Sequence, residues 1–184
     1  MCQNRSDYPS ALMAAWFRQQ LRYIQLQAAT SGVAVMYNHV LIATDGSELA
    51  TRGLVHGLAL AKGLGATVTV VTVTEMWSAW DMAHEARMSE HNPVDEYEQR
   101  AKAAARRILD TAVNLAQEQQ GLDVQTLHVA DQHPAEGIIT ACQSQGCDLI
   151  VMSSHGRRGL GRVLLGSQAA EVLAHSTVPV LVVR

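Results

Sequence analysis

Cysteines are few in this chain, apolar runs are short, and basic residues cluster in no more than one short loop, and each lack narrows what the protein can be. Cys2, Cys142 and Cys147 form no C-x-x-C pair and no even-numbered framework. That argues against structural disulfides and protein-held zinc, and it fits a reducing cytoplasm. No apolar stretch approaches the roughly 20 residues needed to cross a bilayer, so no stable membrane association is expected. Net charge is only −3, and residues 1–35 carry Arg5, Arg18 and Arg22 against Asp7, which leaves 11 basic and 16 acidic side chains, a balance of −5, over the rest. A nucleic-acid surface is therefore not expected, because the basic residues that do cluster sit in one short loop, 157–162.

Several catalytic signatures are missing too. There is no G-x4-G-K-[ST] phosphate loop, and no G-x-G-x-x-G follows the first apolar run. His84-Glu85 lacks the second histidine that a zinc-binding helix requires, and Ser153, Ser154 and His155 stand outside any G-x-S-x-G nucleophile elbow. No side chain stands out as a general base beside a terminal phosphate. A binding protein, not an enzyme, is the expectation.

What is present is a regular alternation. Five apolar, β-branched runs, 39–44, 67–74, 123–129, 148–153 and 179–183, are separated by helical patterns. Such alternation predicts an open parallel α/β sheet with helices on both faces. The first helix should start near Ser47, bury Ala50, Leu54, Leu58 and Ala61, and stop at Gly63 or Gly65. Asn92-Pro93 should open the second, with Asn92 as N-cap, Asp95, Glu96 and Glu98 complementing its dipole, and Gly121 ending it. Its inner stripe reads Tyr97, Ala101, Ala105, Ile108, Ala112 and Leu115. Pro134 and Gly146 bracket the third helix, and the fourth spans about Ser167 to His175.

Two stretches lie outside this pattern. Residues 76–92, with Met76, Trp77, Trp80, Met82 and Met88, are either a lid over a crevice or hydrophobic cover for the end of the sheet. Residues 1–35 read as an N-terminal extension to a 36–184 domain, either a loosely ordered or mis-started tail or an amphipathic helix built on Leu12, Trp16, Phe17, Leu21 and Ile24.

The most informative segment is 148–184. A strand, Leu149-Ile150-Val151-Met152, runs into Ser153-Ser154-His155-Gly156, then a loop with Arg157, Arg158 and Arg162, then Gly166-Ser167 and a helix. Unpaired amides at a helix start, in the field of the helix dipole, make a seat for phosphate. The spacing Ser153-x2-Gly156-x9-Gly166-Ser167 resembles the nucleotide loop G-x2-G-x9-G-[ST] of the universal stress protein family, with Ser153 where the family has its first glycine. That replacement gives up the freedom to take positive φ and to let a ligand reach the bare backbone. The resemblance covers Met36 to Arg184, with Val40-Leu41-Ile42-Ala43-Thr44-Asp45-Gly46-Ser47-Glu48 at its front and Val178-Pro179-Val180-Leu181-Val182-Val183 at its back.

The resemblance implies a Rossmann-like fold of the adenine nucleotide alpha hydrolase type, with strand order 3-2-1-4-5. It implies a cytoplasmic stress-response module that binds ATP, and a homodimer formed through the last strand, Val178 to Val183. Ala43, Thr44 and Asp45 match family positions that contact adenine, ribose or phosphate, and Val73 one that packs near the base. Met152, Ser153, His155, Gly156, Gly166, Ser167 and Gln168 match positions lining the phosphates and ribose, and Arg157 is the loop arginine expected to reach a phosphate. Mg²⁺ would arrive with the triphosphate and touch Asp45.

Plainer readings stand beside these. Asp45 with Glu48 reads as a variant capping box, and Ser167 as the N-cap of the last helix. The non-binding branch of the family, with Ser153 as its mark, is one alternative function. A slow ATP hydrolase or adenylate-handling enzyme is another, against which the acidic Thr44-Asp45-Gly46-Ser47-Glu48 turn speaks.

Overall fold

A computed structural model of the chain describes residues 37–75, 93–156 and 165–184, all within one unit, Tyr37–Arg184. The extension, the 76–92 segment with the N-cap Asn92, and the loop arginines Arg157, Arg158 and Arg162 lie outside the described residues.

The elements follow in the order β1 His39–Ala43, α1 Glu48–Leu64, β2 Thr67–Val73, α2 Pro93–Gln120, β3 Gln125–Val129, α3 Pro134–Gln145, β4 Leu149–Ser153, α4 Ser167–His175 and β5 Val180–Val183. All five strands are parallel, in the order β3-β2-β1-β4-β5. Strand alternation divides the core between the two faces. Val40, Ile42, Val68, Val70, Leu149 and Val151 pack with Leu54, Leu58, Leu109 and Ala116 of α1 and α2. Leu41, Ala43, Val71, Ile150 and Met152 pack with Ala135, Ile138, Ala141, Ala169 and Val172 of α3 and α4. A sheet covered on both faces needs apolar side chains at successive positions, which is why β1 and β4 read as continuous hydrophobic runs.

The helix ends follow their local chemistry. Ser47 is the N-cap of α1 and accepts the Ala50 N–H at 3.2 Å, while Gly65, at φ +69°, closes the other end. The anticipated capping box does not form. Glu48 turns outward to Arg52, 2.6 Å away, and Asp45 Oδ1 accepts the Ser47 N–H at 2.9 Å instead. In α2 the buried stripe runs through Ala105, Leu109, Ala112 and Ala116, with Ile108 and Leu115 at its margin. Tyr97 and Ala101 line a cleft beyond the sheet instead. Helix α4 begins one residue earlier in function than Ser167 suggests, because Gly166 is the N-cap and provides no side-chain acceptor.

Pro179 precedes β5, and its carbonyl accepts the Ile150 N–H at 3.0 Å. Among the described residues β5 pairs only with β4, and Leu181 on it is 39% exposed.

Candidate functional site

After β1 the chain crosses to β2 and β3 on one side, then returns to place β4 on the other side of β1. Loops leaving the carboxyl ends of β1 and β4 therefore diverge, and the crevice between them is where doubly wound sheets take ligands. A cleft of about 840 Å³ lies there. Pockets that hold small organic ligands run from about 300 to 1,000 Å³.

One wall is the turn after β1. Gly46 adopts φ +77°, and a side chain there would also strike Ile108, with Cβ 2.9 Å from Cγ1, so both backbone and packing require glycine. The Gly46 N–H reaches Thr44 Oγ1 at 3.2 Å and the Ser47 N–H reaches Asp45 Oδ1, which fixes Asp45 at the mouth of the cleft. The opposite wall is the loop after β4. A Cβ at Gly156 would lie 2.7 Å from Asp45 Oδ2, so with glycine here the Asp45 carboxylate sits directly against the β4 loop.

Gly166 returns the loop to the same place. Its N–H donates to the Ser154 carbonyl at 2.9 Å, and a Cβ on it would stand 2.8 Å from that carbonyl oxygen. Helix α4 is thereby aimed with its first turn, Ser167, Gln168 and Ala169, on the cleft. The first amides of a helix have no partner within it, and Gly166 offers no side-chain cap. Partial positive charge is thus left at the cleft.

Ser153 stays in the extended strand, buried, and donates its hydroxyl to the His155 carbonyl at 2.7 Å. Where the motif has a bare glycine, this chain has a hydroxyl that staples the beginning of the loop. Ser154 Oγ and His155 Nδ1 lie 3.1 Å apart, which orients the imidazole. Gln168 has a commitment of its own: Oε1 accepts the Ala135 N–H at 2.9 Å, satisfying an amide at the start of α3, whose N-cap His133 makes no side-chain cap.

The far end is of mixed polarity, built from the end of β2 with α2 and α3. Val73 lies against Gly137 of α3, where a Cβ would come within 2.8 Å of it. Tyr97 donates its hydroxyl to the Glu75 carbonyl at 3.2 Å, and Arg100 pairs with Glu96 at 2.9 Å. Thr74 is backed by His128, Oγ1 to Nε2 3.0 Å, and burial, with Lys102 assisting and Asp131 opposing, lowers the pKa of that imidazole.

Ala43, Thr44, Asp45, Val73, Met152, Ser153, His155, Gly156, Gly166, Ser167 and Gln168 all line this one cleft, and Arg157 lies outside the described residues. Sequence reasoning missed Val71, Thr74, Glu75, Tyr97, Arg100, Ala101, Ala104, Pro134, Ile138, Ser154, Leu165 and Ala169, which also line it. A signal existed for part of that set: Tyr97, Ala101 and Ala104 share one face of α2 at helical spacing. Among the described residues no group of three or more His, Cys, Asp or Glu side chains is placed to hold a metal ion.

Fold and cleft together define an open doubly wound α/β protein with a ligand crevice at the reversal of strand order. The chain belongs to the universal stress protein family, whose family model matches residues 36–184. Universal stress protein YxiE of Bacillus subtilis is 32% identical over 151 residues, 81% of this chain and 100% of that protein. The solved structure of MJ0577 from Methanocaldococcus jannaschii aligns with TM-score 0.60 at 30% identity, covering 81% of this chain and 96% of that one. A universal stress protein solved in complex with cAMP shares the fold, with TM-score 0.56 at 22% identity over 81% of this chain and 98% of that one.

Proposed function

We propose that this universal stress protein binds ATP in the β1/β4 crevice and acts as a binding and signalling module, not as a catalyst, carried by the 36–184 domain with residues 1–35 as an extension. The observation that carries the reading is the first turn of α4, whose N-cap Gly166 supplies no side-chain acceptor, turned on a cleft whose opposite lip is Asp45. Phosphates would sit on the amides of Ser167 and Gln168, with Gly156 and Gly166 keeping side chains out of their way. The adenine would lie toward Val73, and Asp45 would meet ribose hydroxyls or a Mg²⁺ brought in by the nucleotide. Arg157 is the side chain assigned to a phosphate oxygen. The cAMP complex of a protein with the same fold accords with an adenine ligand, but the residues of this cleft are the support.

Signalling by occupancy requires ATP to favour one conformation over another. A homodimer through Val178 to Val183 is the assembly we propose, because β5 is an apolar edge strand with Leu181 exposed, the kind of edge that invites pairing with a second chain. A cytoplasmic location fits Cys142 and Cys147, both free thiols among the described residues.

Titration calorimetry of the full chain with ATP and Mg²⁺, after removal of co-purified nucleotide, tests the binding. Saturable heat is expected, with no phosphate released over the titration. Flat traces would leave the non-binding reading in its place, and multiple turnover would move the protein among the hydrolases. Sedimentation equilibrium should give twice the monomer mass, and a monomer at all concentrations would remove the β5 pairing.

A further inference from the structure

The cleft uses neither of the two buried thiols at the opposite end of the sheet, and their placement is specific. Helix α3 ends in a full left-handed closure: Gly146 takes φ +64° and donates to the Gln143 carbonyl at 3.2 Å, and the Cys147 N–H reaches back to the Cys142 carbonyl at 2.9 Å. In that closure the residue after the glycine and the one five positions before it come together side chain to side chain, normally as an apolar contact. Here both positions are cysteine. Cys142 Sγ donates to the Cys147 carbonyl at 3.4 Å, which sets the first sulfur against the second cysteine. Both sit in the α3/α4 side of the core, 2% and 6% exposed. The five-residue spacing looks unremarkable in sequence, and only the helix closure turns it into a pair.

We propose that Cys142 and Cys147 are a reversible redox pair, oxidised by hydroperoxide to an intramolecular disulfide across the end of α3. The division of roles follows from the contact. The Cys147 thiol, hydrogen-bonded to Cys142, lowers the pKa of Cys142 against the opposing effects of burial and the neighbouring Asp148, while the same contact and burial raise that of Cys147. That direction makes Cys142 the attacking sulfur and Cys147 the resolving thiol. Cys142 sulfur attacks one peroxide oxygen, the O–O bond breaks, and the first water leaves with the Cys142 proton, giving a sulfenic acid. Cys147 sulfur then attacks Cys142 sulfur, the S–O bond breaks, and the departing hydroxide takes the Cys147 proton as a second water. Two thiols lose two electrons and one peroxide becomes two waters. The resolving thiol stands beside the sulfenic acid, so the disulfide forms ahead of the sulfinic acid.

The test uses the full chain, exposed to a modest excess of hydrogen peroxide, then denatured, alkylated and digested. The peptide carrying both residues should emerge unalkylated and about 2 Da lighter, and dithiothreitol should restore two alkylatable thiols. In Cys147→Ser, the same treatment should leave a Cys142 sulfenic acid that dimedone traps. Both thiols remaining alkylatable at doses that oxidise Cys2, a sulfinic acid on Cys142 without the disulfide, or a bond from either thiol to Cys2 would each overturn the pair. The wild-type mass change decides the matter even where the serine variant fails to fold.

Discussion

At the amino end of the sheet the backbone closes on itself, whereas at the carboxyl end it is left open. Asp148, entering β4, accepts the N–H groups of Asn38 at 2.8 Å and His39 at 3.1 Å and so bolts the start of β1 to the start of β4. Helices α1 and α3 finish there in left-handed glycines whose closures satisfy carbonyls of the last turn. Across the sheet, α3 and α4 begin without side-chain caps of their own, α3 borrowing an acceptor from Gln168 and α4 showing none among the described residues. The same physical account, where each polar backbone group goes, is settled locally at one end and left open among the described residues at the other. A fold of this kind can be stable from one end and functional at the other, because the demands fall on different residues.

The largest expected effect comes from closing the open end. Gly166→Val puts a branched side chain against the Ser154 carbonyl and His155, 2.8 and 3.4 Å from its Cβ, and pushes the α4 amides off their aim. ATP affinity should fall by at least about 100-fold, roughly 2.7 kcal/mol, with far-ultraviolet dichroism preserved. Unchanged calorimetric affinity would separate the α4 turn from the ligand and erase the functional half of the contrast.

Opening the closed end should do the reverse. Burial pushes the Asp148 carboxyl upward, but the amides of Asn38 and His39 and the Asn38 side chain outweigh it and hold it below the ordinary carboxylate value. Hydrogen bonds to a charged acceptor contribute about 1.5–3 kcal/mol, and with Asn38 exposed the lower part of that range applies. Asp148→Ala should therefore cost about 2 kcal/mol of stability in urea unfolding and leave ATP affinity within a factor of about two. The pH dependence has a definite sign. The folded carboxyl is the stronger acid, so its stabilisation is complete above the unfolded value, about 3.9, and is lost as pH falls through the folded value. Asp148→Ala should flatten that acid limb. A variant that keeps it, or that loses nucleotide instead, would show that the two ends are not independent.

Much of this contrast was legible in the sequence, for reasons that differ by element. The strands and α1 were readable because both faces of the sheet are covered, so apolar runs and their glycine and proline punctuation carry the information locally. Gly156 and Gly166 could be placed on the cleft because the loop and the helix it opens are contiguous in sequence. What could not be read depends on elements meeting from far apart. Gln168 is tied to Ala135, 33 residues earlier, and Tyr97 closes on Glu75 across the segment between β2 and α2. The α2 stripe shifted toward Leu109 and Ala116 because two adjacent helical rows are both apolar, and only the position of α1 selects between them. The N-cap of α4 fell on Gly166 because the close approach to Ser154, invisible in a one-residue choice between glycine and serine, fixes where the helix can start.

The smallest expected effect sits at the residue where this chain leaves the motif. Restoring the motif, Ser153→Gly, removes the hydroxyl bonded to the His155 carbonyl and adds backbone freedom to a strand residue. Each change costs about 0.5–1 kcal/mol. Stability should fall by about 1–2 kcal/mol, and Ser153→Ala, which loses the hydroxyl alone, should account for about half of it. Affinity for ATP should move by less than about threefold, a free energy below 0.7 kcal/mol, because the serine does not adopt positive φ and its hydroxyl is turned to its own loop. A tenfold gain in affinity for Ser153→Gly would mean that the side chain obstructs the phosphates after all, and the staple would then be a closure of the kind found at the other end of the sheet, placed where the family leaves the backbone bare.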